Sequence, residues 1–135
     1  MAAELFIWAL FGHFAGDYWF QTKKMALNKM EPGWRGIGIC YLHSTIYAVA
    51  VYFSLWAVCD LFIFLVVLHS HWIIDRVLLA SLWLKLIRGR TFESAFNSRD
   101  VLREFDISFT SLVYAVVDSS FHLLVLWLLI NYWII

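Results

Sequence analysis

Charge is what this chain has least of. Lys, Arg, Asp and Glu make up 15% of its 135 residues, against about 25% in an average soluble domain, while hydrophobic residues reach 63%. A water-soluble fold of that length could not bury so much apolar surface, with 8 Trp and 12 Phe in it. Lipid is the expected solvent for most of it. The basic and acidic residues cancel to a net charge of zero, so the basic excess that nucleic-acid binding needs is missing. Cysteine is nearly absent too. Cys40 and Cys59 form no C-x-x-C metal or redox motif, and about 28 Å of helix would separate them, so free buried thiols are expected. The opening MAAELFIWAL lacks the basic segment of a signal peptide and no small-residue cleavage site follows, so the first apolar segment is expected to stay as a span. There is no internal repeat and no low-complexity stretch.

What is there is apolar sequence in long runs. A span needs about 20 mostly apolar residues. Four such segments are expected, at about 5–22, 38–57, 61–83 and 109–133. Between the second and third no glycine or proline intervenes, only Cys59-Asp60, and one helix of both would overshoot a bilayer, so a tight turn is placed there. All ten Lys and Arg fall in the first loop or from the end of the third span into the loop after it. The positive-inside rule then makes loops 23–37 and 84–108 cytoplasmic and turns both termini outward. The expected architecture is a single all-α transmembrane domain over residues 1–135. It would be a four-helix bundle passing several times through the inner (plasma) membrane. Trp34, Tyr132 and Trp133 suit an interfacial aromatic belt. In NSRDVLREFDISF, Val101, Leu102 and Phe105 share a helical face opposite Arg99, Asp100, Arg103 and Glu104. With Asn97 or Ser98 as cap, that reads as an amphipathic helix, either on the cytoplasmic leaflet or simply solvated.

The few polar residues inside the spans recur with a pattern. The first span holds His13, Asp17 and Gln21, the second His43 and Tyr47, the third His71 and Asp75, and the fourth Asp118 and His122. Each His/Asp pair is four residues apart, hence on one helix face. Counted from the outer end of each span at 1.5 Å per residue, all seven His and Asp lie about 13–22 Å deep, in one slab of the cytoplasmic half. An Asp at a span's centre costs about 2.5–3.5 kcal/mol, and such groups usually face the bundle interior with a partner. Hydrogen-bonded His/Asp pairs that hold the helices together would meet that cost. A divalent metal meets it as well, supplying positive charge to the carboxylates and taking neutral imidazoles as ligands.

Carboxylate with imidazole points to zinc, iron or manganese, one ion or two, rather than copper(I). Asp17, His71, Asp75, Asp118 and His122 are the expected ligands, and His13 or His43 a further ligand or the general acid/base. Gln21, Tyr47 and Ser119 are expected to orient a ligand or substrate. His69 lies about 200° round the helix from His71 and is expected on a separate face.

The combination of HFAGDYWFQ, HSTIY, HWIID and DSSFH resembles a family of small bacterial and phage membrane proteins catalogued as domain-of-unknown-function family 3307. Members often carry Gln after the Asp of the fourth span, where this chain has Ser119. The pattern also looks distantly like membrane-bound metal-dependent hydrolases of the YdjM type, a resemblance that implies a metal site and hydrolysis. The leading expectation is a metal-dependent hydrolase of a phosphoester or lipid-like substrate, with loop arginines drawing an anionic head group to the cytoplasmic face. Membrane lipid is the expected partner, nucleic acid is not, and an oligomer is compatible. A proton- or metal-handling transporter is the alternative, though the outer half of each span offers almost no polar path. A non-catalytic protein with a structural polar cluster is another.

Overall fold

The computed structural model describes residues Met1–Ile135 as helices joined by short turns, without a β-strand. The α-helices are α1 (Ala2–Phe14), α2 (Lys23–Asn28), α3 (Trp34–Ser54), α4 (Leu61–Val77), α5 (Leu79–Arg88), α6 (Phe92–Asn97) and α7 (Arg103–Leu129). Single π-helical turns follow α1, at Ala15–Trp19, and α7, at Ile130–Ile134. The all-α expectation is met. Two helices are long and apolar enough to cross a membrane: α3, and α7 with its π turn, which together run 32 residues. A third is added if α4 and α5 are taken as one broken span. The chain forms two compact units, residues 1–77 with 122–135, and residues 78–121.

In the first unit the long apolar run breaks where expected, and the reason is visible. α3 ends at Ser54, three residues before the expected boundary, and Ser54 Oγ donates to the Val51 carbonyl at 2.8 Å. Asp60 then caps α4 by accepting the Ile63 N–H at 2.8 Å, so a lone carboxylate starts a helix that no glycine or proline announces. α1 and its π turn pack closely on α3 through Gly12 and Gly16. A Cβ on Gly12 would stand 2.8 Å from Val51 Cα, and one on Gly16 would stand 2.8 Å from Tyr47 Cα. Two glycines four residues apart thus let the backbones approach, as small residues do between membrane helices. The core of this unit is apolar around Ala9, Ala48, Val51, Leu55, Ile63, Val67 and Leu126. Cys40 and Cys59 are both buried and free. Burial, and then the adjacent Asp60 carboxylate, push the Cys59 thiol up to about 11. Loop 23–37 holds a helix the sequence reading did not foresee, α2, with Thr22 Oγ1 accepting the Met25 N–H at 3.2 Å.

The second unit departs more from expectation. The third span does not continue as one helix to residue 83: Leu78 takes a left-handed conformation, φ 57° and ψ 44°, and separates α4 from α5. α5 ends on Gly89, also left-handed. Thr91 and Ser94 form a reciprocal capping box that starts α6. The amphipathic helix expected from Asn97 or Ser98 does not begin there. Asn97 is the last residue of α6, and α7 begins only at Arg103. Between them Ser98 Oγ accepts the Asp100 N–H at 3.2 Å and Asp100 Oδ1 accepts the Leu102 N–H at 3.1 Å. Those side chains offer the backbone an alternative to the helix, and the turn wins. Arg90 joins this unit across 16 and 20 residues of sequence, donating to Asp106 Oδ1 at 3.1 Å and Thr110 Oγ1 at 3.2 Å.

Candidate metal centre

The polar residues of the first unit come from four stretches of chain. The π turn that carries Asp17 closes with the Phe20 N–H on the Ala15 carbonyl, 3.0 Å, an i to i+5 bond. Insertions of this kind inside helices often sit at functional positions. His43 and Tyr47 stand one turn apart on α3, His71 and Asp75 one turn apart on α4, and His122 near the end of α7. His13, His43, His71, Asp75 and His122 are all buried, and the Asp17 side chain is 11% exposed.

Four of these residues meet through one atom each, with each carboxylate facing the same two imidazole nitrogens. His43 Nε2 and His71 Nε2 are 3.1 Å apart. Asp17 Oδ1 lies 3.3 Å from the first and 3.4 Å from the second. Asp75 Oδ2 lies 3.5 Å from each. A ring nitrogen carries at most one proton, so these contacts cannot all be satisfied by hydrogen bonds among the four groups. The Nδ1 atoms of His43 and His71 find no hydrogen-bond partner in the chain. No second contact therefore fixes either tautomer, and the proton's place is decided by what meets Nε2.

Around this centre stands a second ring. His122 Nε2 is 3.5 Å from Asp75 Oδ1, and its ring stacks on His71 with centroids 4.0 Å apart. The Tyr47 ring also stacks on His71, with centroids 3.8 Å apart. His13 is one step removed: its Nδ1 is 3.3 Å from Asp17 Oδ2 and 3.2 Å from the Tyr47 hydroxyl. The Gln21 carboxamide is satisfied with its oxygen accepting from His43 Nε2 at 3.0 Å and Lys29 Nζ at 3.2 Å, and its nitrogen donating to the Asp17 carbonyl at 3.3 Å. Two groups, Asp17 with His71 and His122, and His43 with His71 and Asp75, each have ligand atoms close enough to hold one metal ion.

Of the expected site residues, Asp17 and Asp75 each come within 3.5 Å of both His43 and His71. His13, Gln21, Tyr47 and His122 surround them. Asp118 and Ser119 keep their places on α7 in the other unit, half-buried, with Asp118 one turn before His122. His69 is exposed on its own face, its Nδ1 2.8 Å from the Leu65 carbonyl.

Sequence reasoning missed two residues. Lys29 was counted only as a loop charge, yet its ammonium reaches Asp75 Oδ2 at 2.6 Å, with side-chain exposures of 12% and 1%. Arg76 was counted the same way, and it donates to the carbonyls of Lys29, at 3.2 Å, and Glu31, at 3.1 Å. The one available signal was adjacency: Arg76 directly follows Asp75, so a basic group lay beside a buried acid.

Residues 5–135 match the family described as protein of unknown function (DUF3307). No curated protein and no solved structure matches the chain. The chain belongs to that family.

Proposed function

We propose that this DUF3307 member is a membrane-embedded hydrolase that uses one divalent metal ion, held by Asp17, His43, His71 and Asp75, to cleave a phosphoester or lipid-like ester. The observation that carries the reading is the set of five separations, 3.1 to 3.5 Å, among the four ligand atoms. A tetrahedral ion with bonds of about 2.0–2.1 Å, as zinc makes to imidazole and carboxylate, has ligand edges of about 3.3–3.4 Å. The cis edges of an octahedron with bonds of about 2.2 Å are about 3.1 Å, so iron and manganese fit the same donors. His71 belongs both to the group with Asp17 and His122 and to the group with His43 and Asp75, and a neutral imidazole has one free nitrogen lone pair to give. That favours a single ion over two.

A bound ion of this kind would acidify a water and polarise the ester oxygen. The chain's own residues supply the rest. Tyr47 and His122 pack against the His71 ring, and Gln21 and His13 buttress Asp17. His13, outside the four-atom centre yet hydrogen-bonded to it through Asp17 and Tyr47, is placed to take and return a proton. His43, expected as an alternative base, is assigned as a ligand instead, its Nε2 proton moving to Nδ1 and its contact with the Gln21 oxygen giving way to the ion. Asp118 remains a candidate ligand by its spacing from His122. The resemblance to YdjM-type hydrolases supports the same chemistry by analogy only. Four spans in the inner membrane, cytoplasmic loops 23–37 and 84–108 and outward termini complete the proposal.

One observation favours a second reading. The 2.6 Å pair of Lys29 with Asp75 already supplies a positive charge, as a purely structural cluster would require. Elemental analysis of the detergent-purified chain separates the two. One equivalent of zinc, iron or manganese, lost in Asp75→Ala and in His43→Ala, supports the metal centre and directs a phosphoester screen. A folded wild type that holds no metal after reconstitution sinks the hydrolase and leaves the structural cluster.

A further inference from the structure

The loop between α2 and α3 is locked onto the metal centre from two sides. Arg76, which extends from α4 one residue beyond Asp75, holds the carbonyls of Lys29 and Glu31. On the α3 side, Gly36 receives the Glu31 carbonyl so closely that a Cβ would fall 1.8 Å from that oxygen. The backbone of residues 29–31 therefore has little room to retreat. The side chain it presents is Lys29, whose ammonium reaches Asp75 Oδ2 at 2.6 Å and the Gln21 oxygen at 3.2 Å.

Asp75 Oδ2 is also the oxygen that faces both imidazole Nε2 atoms. A cation among the four ligands and the Lys29 ammonium would then share one carboxylate oxygen. Two positive charges beside one acceptor in a dry setting repel each other, and an anionic oxygen between them relieves that repulsion. The pinned backbone keeps the root of the Lys29 stem beside Asp75.

We infer that Lys29 is the anion-binding group of this site, holding a non-bridging oxygen of a phosphate-bearing substrate on a loop set in place before the substrate arrives. The inference rests on the metal-centre reading. It narrows the substrate class from esters in general to anionic phosphoesters, with Gln21 and Lys29 as the rim that meets the phosphoryl group.

Titration of the zinc-loaded full chain in detergent with orthophosphate tests this. Lys29→Met is expected to keep its zinc equivalent and to bind phosphate about 10- to 100-fold more weakly, the loss expected for a charged hydrogen bond. Lys29→Arg should restore most of the affinity, and Lys29→Gln repeats the measurement if the Met variant fails to fold. Phosphate binding unchanged in Lys29→Met overturns the inference while the metal centre stands. Loss of zinc in that variant also overturns it, making Lys29 a positioning residue for Asp75. A wild type without metal overturns the proposed function, and this inference with it. Phosphatidic acid in nanodiscs that displaces phosphate from the wild type, but not from Lys29→Met, assigns the anion to a lipid head group. Phosphate binding that phosphatidic acid leaves untouched assigns it to a water-soluble phosphoester.

Discussion

The two polar knots of this molecule solve the same problem differently. In the unit of residues 78–121, Arg90 meets Asp106 and Thr110, and its guanidinium lies 4.8 Å from the Phe109 ring centre. Donors and acceptors match there, and the Arg90 and Asp106 side chains keep 29% and 39% of their exposure. In the other unit two imidazole nitrogens and two carboxylate oxygens crowd together, and the acids are only 11% and 1% exposed. The first knot is complete as the chain makes it. The second packs two imidazoles whose Nδ1 atoms find no partner in the chain against two buried acids, and the proposed metal centre is built on that arrangement.

Breaking the contrast outright is the largest test. Asp75→Asn removes the partner of a buried ammonium and should cost about 3–5 kcal/mol in denaturant unfolding of the detergent-solubilised chain. Asp106→Asn, which breaks the half-exposed pair, should cost under about 1 kcal/mol. Equal losses would erase the distinction. Chelation sharpens the same point. Stripping a metal present at about a hundredfold over its dissociation constant should lower wild-type stability by about 2.7 kcal/mol and leave Asp75→Asn unmoved. The support beneath the cluster comes next: Gly16→Ala drives a methyl into Tyr47, the ring that backs His71. It should cost about 1–3 kcal/mol by overpacking and weaken metal retention, read by thermal unfolding and elemental analysis. A small effect without any consequence for the cluster belongs to the other unit. Thr91→Ala, which removes the α6 cap, should cost about 1 kcal/mol and leave metal content unchanged.

The same contrast explains what the sequence could show. Apolar runs of span length carried the all-α class, and the i, i+4 spacing with matched depth already grouped Asp17, His71 and Asp75 with the other intramembrane His and Asp residues. His43 was expected as a further ligand or the general acid/base without an acid on its own helix, and its neighbours sit on the π turn after α1 and on α4. Lys29 and Arg76 were hidden by their loop and helix-end positions, where a basic residue ordinarily reports topology. Where a loop folds back is a tertiary fact without local pattern. Leu78 was hidden for another reason: the left-handed region is one a leucine rarely visits, costing about 1–2 kcal/mol, so the residue type argued against the break that the fold imposes. Gly12 and Gly16 read as ordinary small residues until α3 was seen against them.

The buried thiols carry a practical consequence. With Cys59 pushed up to about 11, only about one molecule in ten thousand presents a thiolate there at neutral pH, and Cys40 is sealed within the helix packing. The native chain is therefore close to silent toward maleimides. A single reporter cysteine at Lys24, at Arg99 or near Met1 would be the reactive sulfur in each case, and an impermeant reagent on whole cells would report which side of the membrane each position faces. The orientation of the termini can thus be mapped on the unaltered background, with the buried His/Asp cluster in place.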